Sequence, residues 1–301
     1  MTLKYLITGA TGGLGKHVLN YFIANVPFLE FAAASSNAAN RSTFEDRGIA
    51  FRHVNFDDLQ SLEVGLRDVE NLLVVSTSGT HRREQHARVI ESAGKAGVKH
   101  IWYTSLAFGG LTDTTRAPVM QDHLYTEKLL RESGLTYTSI REGVYAECFT
   151  VFLDWYPERP PSGPLALPAD GEIAFTSRAE LGEATGRIMV NGGHENETVL
   201  FTAGETITAR EIVEIINETT GRRVELELVS REEYMASWKR DPRGKTREHF
   251  EMVAGFWDDI AAGALVGTSP LLAEVLGREP RTPREVIRGL LEGDGDYVFV
   301  Y

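Results

Sequence analysis

The sequence has little cysteine, little positive charge and no long apolar run. Cys148 is the sole cysteine among 301 residues, which excludes an intramolecular disulfide and any metal site built from several cysteines. Lys and Arg number 31 against 43 Asp and Glu, and the resulting net charge of −12 repels nucleic acid and anionic membranes. No apolar run approaches the roughly 20 residues that span a bilayer, and no charged-then-apolar signal segment opens the chain. We therefore expect a cytoplasmic protein that binds no metal, nucleic acid or membrane.

The chain does have a glycine-rich turn close to its first residues. An apolar run breaks into the spacing Gly-x-x-Gly-x-x-Gly, after which apolar residues recur at helical spacing. This pattern predicts a strand, a tight turn and a helix. Glycines let a backbone approach a pyrophosphate closely, while the N–H groups at the start of the helix face the anion. The alternative is a glycine-rich turn without a ligand. The predicted dinucleotide-binding residues here are Gly9, Ala10, Thr11, Gly12, Gly13, Leu14 and Gly15.

Strands and helices alternate along the first half of the chain. Apolar runs at 29–34, 49–54, 72–75, 98–103 and 137–140 predict strands, with helical patterns between them. The alternation predicts an α/β fold, a Rossmann-type doubly wound parallel sheet with helices on both faces. Ligands of such sheets bind at the carboxyl ends of the strands. Asp57, at one of these ends, is also predicted to cap the helix that follows it. The candidate cofactor residues at the strand ends are Ser35, Ser36, Asn37, Asn55, Phe56, Asp57, Ser76, Thr77, Ser78, Thr104, Gly143, Val144 and Tyr145.

The pattern changes near residue 154. Several prolines between 157 and 168, including Pro160 and Pro161, predict an irregular loop. Beyond it, the sequence predicts helices over 178–190, 248–260 and 283–291, strands at 199–201 and 224–229, and capping boxes at Thr208 and Ser230. We predict a cofactor-binding domain over 1–153 and a smaller α+β part over 154–301 that mostly binds substrate. The strand near 199–201 is a candidate to return to the sheet of the first domain.

Several motifs occur in a fixed order along the chain, at residues 8–15, 75–78, 96–105 and 123–130. The order continues through 133–138, 141–145 and 171–174. Together these motifs resemble the NmrA-like atypical short-chain dehydrogenases, and within that family the NADPH-dependent quinone oxidoreductases most of all. The resemblance covers about the first two-thirds of the chain. It implies an enzyme that transfers hydride from NAD(P)H to a quinone, an enone or a similar small carbonyl compound, with a flat or aromatic substrate.

The residue after the second strand bears on the choice of cofactor. Members of the family with a firm preference for NADP place an Arg there, whereas this chain has Ser36. Arg41 lies about one helical turn further on and is a candidate to bind the 2′-phosphate. No acidic residue stands at the strand end to select NAD, and a hydroxyl with an amide accepts a phosphate that an acid would repel. We therefore expect NADP(H) rather than NAD(H).

The usual proton donor of short-chain dehydrogenases is missing. Orthodox members place a Tyr four residues before a Lys, and here Leu124 precedes Lys128. The resemblance implies that Lys128 holds the nicotinamide ribose, with a solvated helix lysine as the alternative. A quinone does not require a dedicated acid, because the hydroquinone anion left by hydride transfer takes its one proton from water. The candidate acids are Tyr125, Tyr145 and His123, and the candidate substrate-lining residues are Ser105, Tyr145, Trp155 and Tyr156.

The missing tyrosine leaves other functions open. NmrA-like proteins include regulators that bind the dinucleotide without turnover and pass its redox state to a protein partner. An isomerase or epimerase that retains its cofactor is a third candidate, although such enzymes normally use the tyrosine that is absent here. The residues do not indicate an oligomeric state.

Overall fold

The computed structural model of the chain describes residues 2–113, 117–158, 163–241 and 244–293. The strands are β1 (Leu3–Ile7), β2 (Phe31–Ser35), β3 (Ala50–His53), β4 (Val69–Val74), β5 (His100–Leu106), β6 (Thr136–Glu142), β7 (Leu165–Leu167), β8 (Glu197–Phe201) and β9 (Leu226–Leu228). The α-helices are α1 (Gly15–Asn25), α2 (Arg41–Glu45), α3 (Leu59–Gly65), α4 (Arg82–Ala96), α5 (Pro118–Glu132), α6 (Phe149–Leu153), α7 (Arg178–Asn191), α8 (Ala209–Thr220), α9 (Arg231–Ser237), α10 (Arg247–Ala261), α11 (Leu271–Leu276) and α12 (Pro283–Glu292). Short 3₁₀ turns cover Ala38–Asn40, Ala146–Cys148 and Trp238–Arg240.

One parallel sheet organises the described residues. Its seven strands lie in the order β3-β2-β1-β4-β5-β6-β8. Every residue of β2 is buried, as expected for a strand that helices cover on both faces. The predicted Rossmann-type, doubly wound α/β fold is confirmed. The strand order reverses between β1 and β4, so the topological switch point lies at the carboxyl end of β1, where the glycine turn begins.

Alternate side chains of the strands enter two separate cores. Ile7 packs on one face of the sheet with residues of α1, α7 and α11. Leu6, its neighbour in β1, packs on the other face with residues of α3, α4 and α5. The continuous apolar runs in the sequence arise from this burial on both faces.

Two glycines bring α7 into close contact with α1. A Cβ at Gly182 would clash with His17, and a Cβ at Gly186 would clash with the ring of Tyr21. Because the paired residues increase together along both helices, α1 and α7 run in the same direction. The N-terminus of α7 therefore lies beside the N-terminus of α1, at the glycine turn.

Residues after position 154 contribute to the sheet and also form a second core. β8 pairs with β6 in parallel, so the sheet draws on both sides of the predicted boundary. The division into a cofactor part, 1–153, and a substrate part, 154–301, stays a prediction. β7 pairs with β9, and an apolar cluster joins this two-stranded sheet to α6, α8, α10 and α12.

The expectation of an irregular loop through residue 168 is partly wrong. Residues 165–167 form β7, because their backbone finds a parallel partner in β9. Pro160 and Pro161 lie outside the described residues. In the ranges that the structure describes, no helix combines the length and the apolar character needed to cross a bilayer.

Candidate active site

Three glycines of the turn, Gly9, Gly12 and Gly15, leave little or no room for a side chain at their own positions. Gly9 has a φ of +61°, and a Cβ there would lie 3.0 Å from the Cβ of Val75. Gly12 donates its N–H to the carbonyl of Gly9 at 2.8 Å, and a Cβ at Gly12 would lie 3.2 Å from the same oxygen. A Cβ at Gly15 would clash with that carbonyl. The turn thus presents bare backbone at the start of α1, which fits the pyrophosphate of a dinucleotide.

Side-chain hydroxyls tie the ends of three neighbouring strands together at the switch point. Thr8 donates its hydroxyl to the carbonyl of Leu73 at 2.7 Å and accepts the N–H of Val75 at 3.1 Å. Thr104 accepts the N–H of Ser76 at 3.0 Å. These bonds join β1 to β4 and β4 to β5. They therefore fix the carboxyl ends of the three strands before any ligand binds.

A buried histidine fixes the loop that follows β4. His86 accepts the N–H of Thr77 through Nε2 at 3.1 Å, so its proton lies on Nδ1, which contacts the hydroxyl of Thr126 at 2.8 Å. Burial, followed by the charge of Arg82, lowers the pKa of His86 to about 4. The imidazole is therefore neutral at physiological pH, as its role as an acceptor for Thr77 requires.

The end of β2 carries the residues predicted to bind the 2′-phosphate. Ser35 is buried, and its Oγ accepts bonds from the N–H of Asn37 and from Nδ2 of Asn40. Ser36 and Asn37 are exposed. The guanidinium of Arg41 donates to Glu45 through Nη1 at 2.7 Å, an i,i+4 pair on the surface of α2.

Asp57 does not cap α3. The cap is Asp58, whose Oδ1 accepts the N–H of Gln60 at 3.0 Å. Gln85 and Arg88 of α4 bind the carboxylate of Asp57 instead, at 2.7 and 2.9 Å. Adjacent aspartates gave no sequence signal to separate the two roles. Asn55 and Phe56, which precede them, take part in the same turn after β3, where Asn55 Oδ1 accepts the N–H of Asp57 and the Phe56 side chain is buried.

Lys128 faces solvent on α5. Its side chain is 64% exposed, and its nearest charged partner is Glu132 at 3.8 Å. The face of α5 that meets the sheet carries Thr126, Glu127 and Leu130, all of them buried. The role that the resemblance implies for Lys128, holding the nicotinamide ribose, stays a prediction, and the exposure of the side chain favours the solvated alternative.

The hydroxyl of Ser105 is hydrogen-bonded to a buried ion pair. Glu127 and Arg141 are almost fully enclosed and lie 2.7 Å apart. Ser105 and Ser139 donate their hydroxyls to the carboxylate of Glu127 at 2.7 and 3.1 Å. The prediction that Ser105 contacts substrate is wrong, because its hydroxyl is buried and donates to the carboxylate of Glu127.

His123 and Tyr125 are also poorly placed to act as acids. His123 lies on the buried face of α5, and its Nδ1 contacts the hydroxyl of Tyr103 at 2.7 Å. Burial, followed by the charge of Arg82, holds the pKa of His123 well below its usual range, so the ring is neutral. Tyr125 is exposed and lies under the guanidinium of Arg83 in α4.

Tyr145 is the sequence-predicted acid that Arg178 links to the glycine turn. Its ring centroid is 6.0 Å from the guanidinium carbon of Arg178, and that guanidinium packs on Gly13. The hydroxyl of Tyr145 donates to Glu142 at 3.3 Å. Burial raises the pKa of Tyr145 well above its usual value, so the phenol stays protonated.

Gly143 and Val144 connect Tyr145 to the end of β6. Gly143 donates its N–H to the carbonyl of Phe201 at 2.7 Å, and a Cβ at Gly143 would clash with the hydroxyl of Thr176. Val144 is buried and accepts the N–H of Thr176 through its carbonyl. Their cofactor role is untested.

Sequence reasoning missed Glu142 and Arg178. Glu142 is 1% exposed, and it accepts the hydroxyls of Thr185 and Tyr145. Arg178 marked only the start of a predicted helix. Its contact with Gly13 joins residues far apart in sequence and depends on the packing of α7 on α1, so no local motif could reveal it.

A cavity of about 830 Å³ opens beyond the carboxyl end of β5. Gly109, Gly110 and Thr112 line one side of it, and residues of the segment 255–267 line the other. Arg141 holds the first side in place by donating to the carbonyls of Gly110 and Thr112 at 3.1 and 3.0 Å. The buried ion pair thus anchors a wall of this cavity.

Trp155 does not line a substrate site. It is fully buried, its ring lies near that of Phe149, and the guanidinium of Arg222 covers it at 5.6 Å. The ring of Tyr156 lies near the ammonium of Lys245. The expectation that Trp155 stacks on a substrate is therefore wrong, because the ring is part of the second core.

Comparison with known proteins places this site in a family. The sequence model of the "NmrA-like family" matches residues 1–262. The chain belongs to the NmrA-like family. This NmrA-like chain is also 53% identical over 303 residues to the "NmrA-like family domain-containing oxidoreductase flvB" of Aspergillus flavus, across 99% of this chain and 98% of the relative. The resemblance drawn from the motifs is confirmed.

Two solved structures share the fold of this NmrA-like chain. The NADPH-dependent quinone oxidoreductase QOR2 of Escherichia coli, complexed with NADPH, matches with a TM-score of 0.83 and 29% identity, over 95% of this chain and 99% of its own. The triphenylmethane reductase of Citrobacter sp., complexed with NADP(H), matches with a TM-score of 0.82 and 29% identity, over 94% and 99%. Both are complexes with the cofactor that the sequence favours for this chain.

Proposed function

We propose that this chain is an NADPH-dependent reductase that transfers hydride to a quinone, an enone or a similarly polarised small molecule. The observation that carries the proposal is the bare glycine turn at the switch point, with Tyr145 linked to it through Arg178. The named activities of the relatives, quinone and dye reduction among them, support the same class of chemistry. NADPH supplies the hydride when it is bound, and the protein supplies position and hydrogen bonds.

Residues at the strand ends would hold the cofactor. The turn 9–15 cradles the pyrophosphate, and Ser36 and Asn37 receive the 2′-phosphate with Arg41 as its cation. The loop at Ser76, Thr77 and Ser78 forms the opposite wall, already fixed by Thr104 and His86. The hydroxyl and amide groups offered at the end of β2 suit a phosphate, in agreement with NADPH.

Tyr145 would act toward the substrate as a neutral hydrogen-bond donor. Its raised pKa keeps the proton on the phenol, and Glu142 holds the hydroxyl near the end of β6. Hydride transfer converts a quinone to a hydroquinone anion, which takes one proton from water, so this donor would orient the ring and need not protonate it. For an enone or ketone, the same hydroxyl would have to supply the proton in the transition state.

The cavity beyond β5 is our candidate for the substrate pocket. Its volume of about 830 Å³ lies within the range of roughly 300–1,000 Å³ that small-molecule sites occupy. It lies past the carboxyl end of a central strand, on the edge of the sheet where ligands of this fold bind. Gly109 contributes backbone to its lining and is hydrogen-bonded to Ala264 of the opposite wall at 2.7 Å.

A non-catalytic redox sensor is the second candidate function. It is favoured by the side chains that do not reach the site: Lys128 is exposed, Ser105 is occupied and His123 is enclosed. A screen of quinones, enones and dyes against NADPH separates the two functions. Turnover with any of them supports the enzyme, whereas cofactor binding without turnover supports the sensor.

A further inference from the structure

An arginine from the second half of the chain lies on the glycine turn. Arg178 is the first residue of α7 and is 7% exposed. An ideal Cβ at Gly13 would lie 2.5 Å from its Nη1 and 3.1 Å from its Cζ. The guanidinium therefore occupies the space that a side chain at position 13 would take.

Gly13 has a second reason to be glycine besides the close approach of a ligand. The nearest atoms to its missing Cβ all belong to the side chain of Arg178. Gly12 and Gly15, by contrast, are restricted by the carbonyl of Gly9. The arginine therefore excludes a side chain at position 13, whereas the backbone of the turn restricts side chains at positions 12 and 15.

Acidic, aromatic and basic side chains surround Arg178 at the turn. The N–H of Arg178 donates to the carboxylate of Glu147 at 3.3 Å, and its guanidinium lies 6.0 Å from the ring centroid of Tyr145. Arg281 adds a second positive charge nearby, where its Nη2 donates to Ser177 at 2.9 Å. Two arginines therefore lie where α1 and α7 both begin, with the carboxylates of Glu147 and Glu180 beside them, and the N-terminal ends of both helices favour an anion there.

We propose that Arg178 binds the pyrophosphate of the cofactor and that Gly13 is a glycine in order to admit its guanidinium. The inference rests on the dinucleotide binding proposed above but not on turnover, since a sensor would need the same contact. A planar guanidinium suits two phosphate oxygens at once. The contact would link cofactor binding to α7 and to the Tyr145 loop.

Pyrophosphate recognition has a signature that 2′-phosphate recognition lacks. NADPH and NADH share the pyrophosphate, and 2′-AMP carries the 2′-phosphate without it. Loss of Arg178 is therefore expected to weaken NADPH and NADH by the same factor and to leave 2′-AMP unchanged. Loss of a 2′-phosphate contact would weaken NADPH and 2′-AMP and spare NADH.

The test is calorimetric titration of Arg178→Ala with NADPH, NADH and 2′-AMP. We expect affinity for the two dinucleotides to fall by about 10- to 100-fold, the range of a charge-assisted hydrogen bond. Arg187→Ala is the matched control, because Arg187 lies on the same helix, pairs with Glu183 and contacts Tyr21 away from the turn. It is expected to bind all three ligands like the wild type.

Gly13→Ala provides an independent variant that keeps the arginine. Its Cβ would displace the guanidinium, so Gly13→Ala should bind NADPH and NADH more weakly than the wild type does. In a protein that already carries Arg178→Ala, adding Gly13→Ala should lower the affinity by less than about threefold. Unchanged dinucleotide affinity in Arg178→Ala would overturn the proposal, as would a loss confined to NADPH or an equal loss for 2′-AMP. A wild type that binds neither dinucleotide would instead contradict the proposed function.

Discussion

Glu142 is expected to make the stability of this protein fall as pH rises. Burial raises its pKa from 4.5 to about 8, and the hydroxyls of Thr185 and Tyr145 only partly oppose that shift. Below pH 4.5 the carboxyl is protonated in both the folded and unfolded states. Between pH 4.5 and 8 it ionises only when the chain unfolds, so stability falls across this window. Above pH 8 both states are ionised and the loss is complete.

The size of the effect follows from the shift in pKa. One pKa unit corresponds to about 1.4 kcal/mol, so the whole window removes roughly 3–5 kcal/mol from the free energy of unfolding. Glu142→Gln keeps the shape and polar atoms of the side chain without the titration. The free energy of unfolding of the variant, relative to wild type, should therefore rise by roughly 3–5 kcal/mol between pH 5 and pH 9.

The assay is urea denaturation of the cofactor-free protein at several pH values from 5 to 9. Glu127→Gln is the matched control, because Glu127 is equally buried but pairs with Arg141 at 2.7 Å. Removing the charge of Glu127 leaves Arg141 with Asp113 as its remaining carboxylate partner, so it should destabilise the fold by at most about 3–5 kcal/mol, at every pH in the range. A difference between wild type and Glu142→Gln that does not change with pH would refute the reasoning.

Three further predictions concern the site itself. Lys128→Ala should change the NADPH dissociation constant by less than about twofold, since its side chain is 64% exposed; a large loss by calorimetry would restore the family role. Arg41→Ala should weaken NADPH by about tenfold and leave NADH unchanged, which titration of both cofactors checks. Tyr145→Phe should leave quinone reduction within about threefold of wild type but slow enone reduction about 100-fold, so equal rates on enones would exclude the phenol as a donor.

The fold was accessible from sequence because its signals are local. The glycine spacing with apolar runs on either side predicts β1, the turn and α1, and each has a physical cause that acts over a few residues. The sequence could give the pairing of β8 with the sheet only as a candidate, because a local residue pattern does not reveal which distant strand a strand pairs with. β7 was not predicted for the same reason, because its partner β9 lies far along the chain and the prolines before it indicate a loop.

The catalytic side chains were less predictable than the turn because their direction depends on tertiary packing. Spacing alone puts Lys128 one turn after Leu124, but it does not say that Thr126, Glu127 and Leu130 form the face that meets the sheet. A polar residue at a strand end can also hydrogen-bond to a buried group of the protein and not to a ligand. Ser105 satisfies the buried carboxylate of Glu127 in this way, and such partnerships have no signature in a single sequence.

The central claim, NADPH-dependent reduction at the glycine turn, is tested most directly by following NADPH oxidation with menadione as acceptor. Gly12→Val serves as the blank, because its side chain would press against the carbonyl of Gly9 and fill the cradle. We expect many turnovers per wild-type molecule, one hydroquinone formed for each NADPH consumed, and only the uncatalysed rate in the variant. Wild-type protein that binds NADPH, yet oxidises it no faster than Gly12→Val with menadione or any other quinone, enone or dye, would contradict the account.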